Sequence, residues 1–236
     1  SGASGLMGLK IKSNKKNSVI KFVNSLKLFG YGYSWGGFES LALHQGVSER
    51  GNRKFLNLKK NITKKTKLIF VENPGSNSFE FQDLSKIISI AKKNQIITAI
   101  DNTWATPYFF KPMKLGFDMS IVSATKYYSG HSDVMGGSLA VNQKVFKHVE
   151  KAQKITGLRL GPDDAYLITR GLRTLDVRLD KHYENAMKVA AFLSKDKRIK
   201  LLYPYRKGSE NYKMWKKYYS GASGLMGLMI KARNKK

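Results

Sequence analysis

A lysine and an aspartate each lie close behind a short apolar run in this chain. Lys126 comes after residues 119–122, and Asp101 directly follows residues 96–100. If the two runs are neighbouring strands of an open α/β sheet, their carboxyl ends form the edge at which ligands bind. A lysine amine can form an imine with an aldehyde, and a carboxylate can keep a ring nitrogen protonated. We therefore expect Lys126 and Asp101 to act on the same ligand.

Pyridoxal phosphate is a cofactor that needs this pair, because it carries both an aldehyde and a ring nitrogen. Each residue also has an ordinary structural explanation. In so basic a chain, Lys126 could be a solvated lysine at a strand end, and Asp101 could cap a helix or shape a loop. The spacing alone does not distinguish the functional from the structural explanation, whereas the residues around Lys126 favour the functional one.

The segment around Lys126 resembles the lysine signature of the Cys/Met-metabolism family of pyridoxal-phosphate enzymes. It reads Ser123-Ala-Thr-Lys-Tyr127 and continues with Gly130-His-Ser132, whereas Tyr128 departs from the aliphatic residue or Phe that is usual in the family. Further segments match at residues 71–76, 101–105, 170–175 and 223–225. Within the family the likeness is to the bacterial cystathionine β-lyases, and it rests on residues 33–38, 73–76 and 130–133.

The resemblance implies a role for each residue of the signature. Lys126 would hold the cofactor as an imine and then remove the Cα proton of the substrate. Asp101 would keep the ring nitrogen protonated, so that the ring can take up electrons. Ser123 and Thr125 would donate hydroxyl hydrogen bonds to the phosphate. The structural alternative for the two hydroxyl residues is turn formation.

The resemblance also implies a substrate-binding segment far away in the sequence. Ser34 and Trp35 lie in the glycine-rich residues 30–37, whose family counterpart lies near the lysine and the substrate carboxylate. Glycines allow a close approach of the backbone to a ligand. The alternative is an ordinary turn with Trp35 in the core. The histidines lack the spacing of a zinc site, and we expect no metal.

Two blocks of the chain resemble the family in an altered order. Residues 1–58 are expected to be a displaced segment of the C-terminal domain. Residues 62–194 are expected to be the cofactor-binding core, and residues 195–236 the start of the C-terminal domain. Residues 1–9 are identical to residues 220–228. This pattern indicates a rearranged or misassembled reading frame. The family's N-terminal third, its ring-stacking tyrosine and its carboxylate-binding arginine find no match.

The spacing of apolar residues predicts an α/β fold. Strands are expected at residues 6–11, 67–72, 96–100, 119–122, 137–141, 198–203 and 224–230. Helices are expected at residues 18–28, 83–93, 145–154, 165–193 (one helix, or two with a kink) and 211–217. The strand–helix–strand order over residues 67–101 implies a parallel pair, and the fully apolar strands imply helices on both faces of a mostly parallel sheet. The resemblance supplies the fold, which is the large domain of fold type I, the aspartate-aminotransferase-like fold, with pieces of a smaller α+β C-terminal domain.

The composition argues against several other classes of protein. A hydrophobic content of 42% is ordinary for a globular protein. No apolar run is long enough to span a membrane, and the lack of cysteine fits a cytoplasmic protein. The net charge of +27 raises the alternative of nucleic-acid binding. However, the positive charge is spread along the whole chain and is mostly lysine, so we expect salt-sensitive adhesion to polyanions and no specific nucleic-acid partner.

The resemblance implies a carbon–sulfur lyase. The substrate would be a thioether amino acid, cystathionine, cleaved by β-elimination to homocysteine, pyruvate and ammonia. The enzyme would be a cytoplasmic homo-oligomer, like the family's tetramers. Two alternatives stay open: a related γ-elimination or γ-replacement on the same residues, and a fragment without catalytic activity. A basic nucleic-acid-binding protein is the third and weakest.

Overall fold

The N-terminal block contributes short strands to the structure, a computed structural model. They are β1 (Met7–Lys10), β2 (Gly30–Tyr31) and β3 (Leu41–Ala42). β2 and β3 pair with each other in parallel. The structure describes residues 7–10, 30–31, 41–42, 58, 62–76 and 79–230. The predicted helix at 18–28 and the predicted site residues Ser34 and Trp35 lie outside these ranges.

A four-stranded sheet carries the lysine signature. In chain order, which is also the spatial order, its strands are β4 (Leu68–Glu72), β5 (Ile97–Asp101), β6 (Met119–Ser123) and β7 (Gly137–Val141). The first three strands are parallel, and β7 is antiparallel to β6. The four predicted strands and the mostly parallel sheet are confirmed, each strand within one residue of the expected bounds.

A helix makes the crossover between β4 and β5, as the sequence predicts. This helix, α1 (Leu84–Lys93), begins after Asp83, whose side chain accepts a hydrogen bond from the Lys86 backbone N–H. Its buried residues, Leu84, Ile88 and Ala91, follow the three-to-four-residue spacing of one helix face. They pack in the same core as the buried residues of β4 and β5.

The other face of β4 is open. Ile69 and Val71 point into the core, whereas Leu68 and Phe70 remain 48% and 58% exposed. This alternation follows from the two-residue period of a strand. β4 is therefore both the edge strand of the described sheet and an exposed apolar surface.

Asp118 connects three strands at the end of the sheet away from the signature. Its Oδ2 accepts hydrogen bonds from the backbone N–H and the hydroxyl of Thr98, at 2.9 and 3.0 Å. Its Oδ1 accepts one from the side-chain amide of Asn142, at 2.8 Å. Burial raises the pKa of Asp118, but these hydrogen bonds and the charge of Lys144 outweigh it, and the pKa lies below its ordinary value of 3.8.

Replacing Asp118 with alanine should cost roughly 3 kcal/mol of stability, because the donors of Thr98 and Asn142 lose a charged acceptor. Since the folded-state pKa is lowered, the part of this contribution that depends on the charge of Asp118 is present above pH 3.8 and is lost as the pH falls through the folded-state value. Urea unfolding at several pH values measures both effects. The exposed Asp163 provides the control: it lies in the first turn of the helix Pro162–Leu172, and Asp163→Ala should cost less than about 1 kcal/mol, because it removes only the interaction of a carboxylate with the helix N-terminus. An equal cost for the two variants would contradict the prediction.

Helices also follow β5 and β7. Two short ones, α2 (Thr106–Phe109) and α3 (Pro112–Leu115), join β5 to β6 and were not predicted, because four residues are too few to show a period. The remaining helices in the described part of the chain are α4 (Gln143–Thr156), α5 (Pro162–Leu172), α6 (Leu175–Leu193) and α7 (Glu210–Tyr218). The long apolar pattern at 165–193 is therefore two helices, one of the two predicted outcomes. No described helix combines the length and the apolar character that a membrane crossing requires.

The two copies of the repeated segment lie side by side. β8 (Ile199–Leu202) pairs in antiparallel fashion with β9 (Met226–Ile230), and β1 pairs with β9 in parallel. The register aligns Met7 with Met226, so identical residues of the two copies are partners. The C-terminal segment also packs on the main core, where the Trp104 ring N–H donates to the Leu225 carbonyl at 3.0 Å.

Candidate active site

The carboxyl ends of three strands meet at one edge of the sheet. The register aligns Glu72 with Asp101 and Asp101 with Ile121, so Ser123 lies two residues beyond that level. Lys126 follows in a single π-helical turn, Ala124–Tyr128, which we call the lysine turn. The lysine, the aspartate and the two hydroxyl residues thus belong to the same edge, as expected.

The backbone of the lysine turn is kinked at the lysine itself. Lys126 has φ −95° and ψ −112°, outside the helical region. Hydrogen bonds hold the residues on both sides of it. The Ser129 N–H donates to the Ala124 carbonyl at 3.0 Å, and the Gly130 N–H donates to the Lys126 carbonyl at 2.8 Å. The kink is a fixed part of the local structure, and apolar spacing could not have revealed it.

The side chain of Lys126 is partly buried, and this burial lowers the pKa of its amine below the ordinary value of 10.5. Removal from water disfavours the charged form of a lysine. Only the neutral amine has the lone pair that attacks an aldehyde or accepts a proton. The environment therefore shifts Lys126 towards its reactive form.

Asp101 is anchored by the residue two positions later in the chain. Its Oδ1 accepts a hydrogen bond from the Thr103 backbone N–H at 2.8 Å. The Thr103 hydroxyl oxygen accepts in turn from the Ser123 backbone N–H, also at 2.8 Å. Thr103 thus connects the end of β5 to the end of β6. This buried threonine was not predicted as a site residue, although its position just after the end of a strand could have indicated one.

Thr125 has internal hydrogen-bond partners. Its hydroxyl donates to the Gly136 carbonyl at 3.3 Å and accepts from the Gly136 N–H at 2.9 Å. To donate to a phosphate, this hydroxyl would have to turn away from the carbonyl. Ser123 is partly exposed at the end of β6. The phosphate-binding roles of these two hydroxyls therefore stay predictions.

Hydrogen bonds also hold the loops next to this end of the sheet. The hydroxyl and the N–H of Ser76 donate to the carboxylate of Glu72, at 2.9 and 3.2 Å, which gives Glu72 a structural role in its loop. Asn102 is buried, and its amide donates to the Phe110 carbonyl at 3.0 Å. These contacts fix the loops that follow β4 and β5.

The set of side chains fits the chemistry of pyridoxal phosphate. An amine with a lowered pKa suits the aldehyde, and a carboxylate with one anchored oxygen suits the ring nitrogen. Lys126 and Asp101 are the residues that would hold these two groups. The residues of the signature therefore have the chemical types that the cofactor requires.

Comparison with known proteins agrees with a site for pyridoxal phosphate. The family of Cys/Met metabolism PLP-dependent enzymes matches residues 49–236, which include the lysine turn. A cystathionine β-lyase from Coxiella burnetii is 38% identical over 173 residues, which are 72% of this chain and 45% of that protein. An L-alanine/L-glutamate racemase from Wolbachia pipientis is 39% identical over 170 residues, which are 72% of this chain and 42% of that protein.

A solved structure shows the same fold. A protein from Campylobacter jejuni, assigned as an O-acetylhomoserine (thiol)-lyase and carrying N′-pyridoxyl-lysine-5′-monophosphate, superimposes with a TM-score of 0.68 at 31% identity. The match covers 74% of this chain and 52% of that one. The chain spans less than half the length of the two curated relatives named above. On the family match and these likenesses, the chain belongs to the Cys/Met metabolism family of PLP-dependent enzymes, with the fold type I architecture.

Proposed function

We propose that this chain carries the cofactor-binding lysine of a carbon–sulfur lyase that cleaves cystathionine by β-elimination. The observation that carries the proposal is the position of Lys126, with its lowered pKa, on the sheet edge that also holds Asp101. The residues shared with bacterial cystathionine β-lyases favour this reaction within the family.

Lys126 is proposed to have two roles, one towards the cofactor and one towards the substrate. Its amine would hold the cofactor and, when free and neutral, would accept the proton from the substrate Cα. A base whose pKa lies near the working pH is best suited to this transfer, and burial lowers the pKa of Lys126 in that direction. Pyridoxal phosphate, when bound, supplies an electron sink for the pair of electrons left at Cα.

Asp101 is proposed to hold the protonated ring nitrogen. The Thr103 N–H fixes one of its carboxylate oxygens and so sets the plane of the group. Ser123 and Thr125 are proposed to hold the phosphate, and Ser34 and Trp35 to lie at the substrate carboxylate. When the Cβ–sulfur bond breaks, the leaving sulfur would take up the proton that Lys126 holds and depart as homocysteine. The three-carbon enamine that is left would react with water to give pyruvate and ammonia.

The products of cystathionine decide between this reaction and its relatives. The chain, incubated with pyridoxal phosphate and cystathionine, should release pyruvate, homocysteine and ammonia in equal amounts. Cysteine with 2-oxobutyrate would instead show γ-elimination. In a second incubation with L-alanine in place of cystathionine, formation of D-alanine would show racemisation, the reaction named for the Wolbachia relative. Mass spectrometry with chiral chromatography distinguishes all three outcomes.

A fragment without activity is the second candidate, because the chain spans less than half the length of the Coxiella and Wolbachia relatives. Covalent cofactor on Lys126 together with no product from either amino acid would support it. Any pyruvate formed must depend on Lys126, so the Lys126→Ala variant is the blank for this assay. Pyruvate release that persists in the variant would count against the proposed role of the lysine.

A further inference from the structure

The guanidinium of Arg178, on α6, closes the carboxyl end of the lysine turn. Its Nη1 donates to the Tyr127 carbonyl at 2.8 Å, and its Nη2 donates to the Tyr128 carbonyl at 3.4 Å. The same Nη2 donates to the Gly171 carbonyl at 2.6 Å, and Nε donates to the Thr174 hydroxyl at 3.0 Å. One side chain thus connects the lysine turn to the junction of α5 and α6.

Helical turns leave their last carbonyl groups without partners, and buried carbonyls need them. In the lysine turn the first three carbonyls, of Ala124, Thr125 and Lys126, accept from Ser129 and Gly130. The two that follow accept from Arg178. Arg178 therefore completes a continuous set of hydrogen bonds that runs from one side of Lys126 to the other.

Glycines on both sides allow this close approach. A Cβ atom at Gly130 would lie 2.3 Å from Nη1 of Arg178. A Cβ atom at Gly171 would lie 2.3 Å from the carbonyl oxygens of Ser129 and Tyr128. Both distances are far below van der Waals contact. At Gly171 the clash is with backbone atoms, so α5 and the lysine turn can meet in this way only with glycine there. At Gly130 the positive φ of +73° favours glycine as well.

We propose that Arg178 is a positioning residue, which directs the Lys126 amine towards the cofactor edge by fixing the carbonyls that follow it. The inference rests on the proposed function of Lys126. A planar fork is required, because two NH₂ groups and one N–H reach four acceptors in fixed directions. Lysine would keep the charge and lose this geometry.

The test compares Arg178→Lys with Arg173→Lys, an exposed arginine at the same helix junction. The first readout needs no cofactor. The rate at which acetic anhydride modifies Lys126, followed by mass spectrometry across pH, reports the surroundings of its amine. Arg178→Lys should change this rate and its pH midpoint, whereas Arg173→Lys should leave both unchanged.

The second readout uses the loaded protein. Arg178→Lys should lower kcat by about 10²-fold, as expected for a reacting group displaced by about 1 Å, and should change KM much less. Circular dichroism establishes that the variant is folded. Unchanged Lys126 reactivity in folded Arg178→Lys overturns the positioning role, whatever the activity. If reactivity changes but wild-type protein binds no cofactor at Lys126, the positioning role holds and the proposed function fails.

Discussion

Replacing Lys126 with alanine is expected to abolish specific covalent attachment of pyridoxal phosphate to this chain. Lys126 is the amine at the sheet edge whose pKa is lowered by burial, and alanine offers no nucleophile. Borohydride reduction and peptide mass spectrometry should find the cofactor on Lys126 in the wild type. In the variant, the yield should fall to the background of surface lysines. Activity should fall by at least roughly 10²–10⁴-fold, the usual contribution of a positioned proton-transfer group.

A surface lysine provides the matched control for this experiment. Lys151 is an exposed residue of α4 and is not among the predicted site residues, so Lys151→Ala should leave both the yield on Lys126 and the activity unchanged. The assignment of Lys126 is wrong if the alanine variant takes up and retains as much reducible cofactor as the wild type.

Replacing Asp101 with asparagine should leave the cofactor attached and slow the reaction. Asparagine keeps the oxygen that accepts from the Thr103 N–H, but it removes the negative charge. Loss of one partner of a hydrogen-bonded charge pair costs about 2–5 kcal/mol, or roughly 30- to 5000-fold in kcat/KM. The expected pattern is a normal yield of reduced adduct with a low rate of product release.

The exposed Asp163 on α5 again offers a comparison of the same chemical change. Asp163→Asn should behave like the wild type in both assays. Steady-state kinetics with cystathionine measures the difference. An Asp101→Asn variant with wild-type kcat/KM would show that the carboxylate does not face the ring nitrogen.

Much of the sheet could be predicted from the sequence, because its strands are short apolar runs bounded by polar residues. Asp101 and Lys126 follow two such runs, and parallel pairing brings the ends of neighbouring strands together. The family-like residues around Lys126 then indicated its chemistry. Helix α1 was equally accessible, since its buried face repeats with the period of a helix.

The contacts that hold the candidate site in place could not be predicted from the sequence. Arg178 lies 51 residues from its acceptor in Tyr127, and nothing local in the sequence indicates that contact. The kink at Lys126 is accompanied by hydrogen bonds with the residues that follow it, and the pattern of apolar residues in the sequence does not predict such bonds. For Thr125 the family resemblance implies a phosphate donor, and nothing in the sequence indicates that its hydroxyl donates to the Gly136 carbonyl.

The open face of β4 has a consequence for the behaviour of the chain in solution. An edge strand with exposed apolar side chains is a template for pairing with another chain, and nearby lysines oppose such pairing by repulsion. Here the exposed Lys64, Lys65 and Lys67 precede Leu68 and Phe70. Salt screens this repulsion over about 8 Å at physiological ionic strength. Raising the salt concentration should therefore release the chain from polyanions and, at the same time, promote its self-association, which static light scattering can follow.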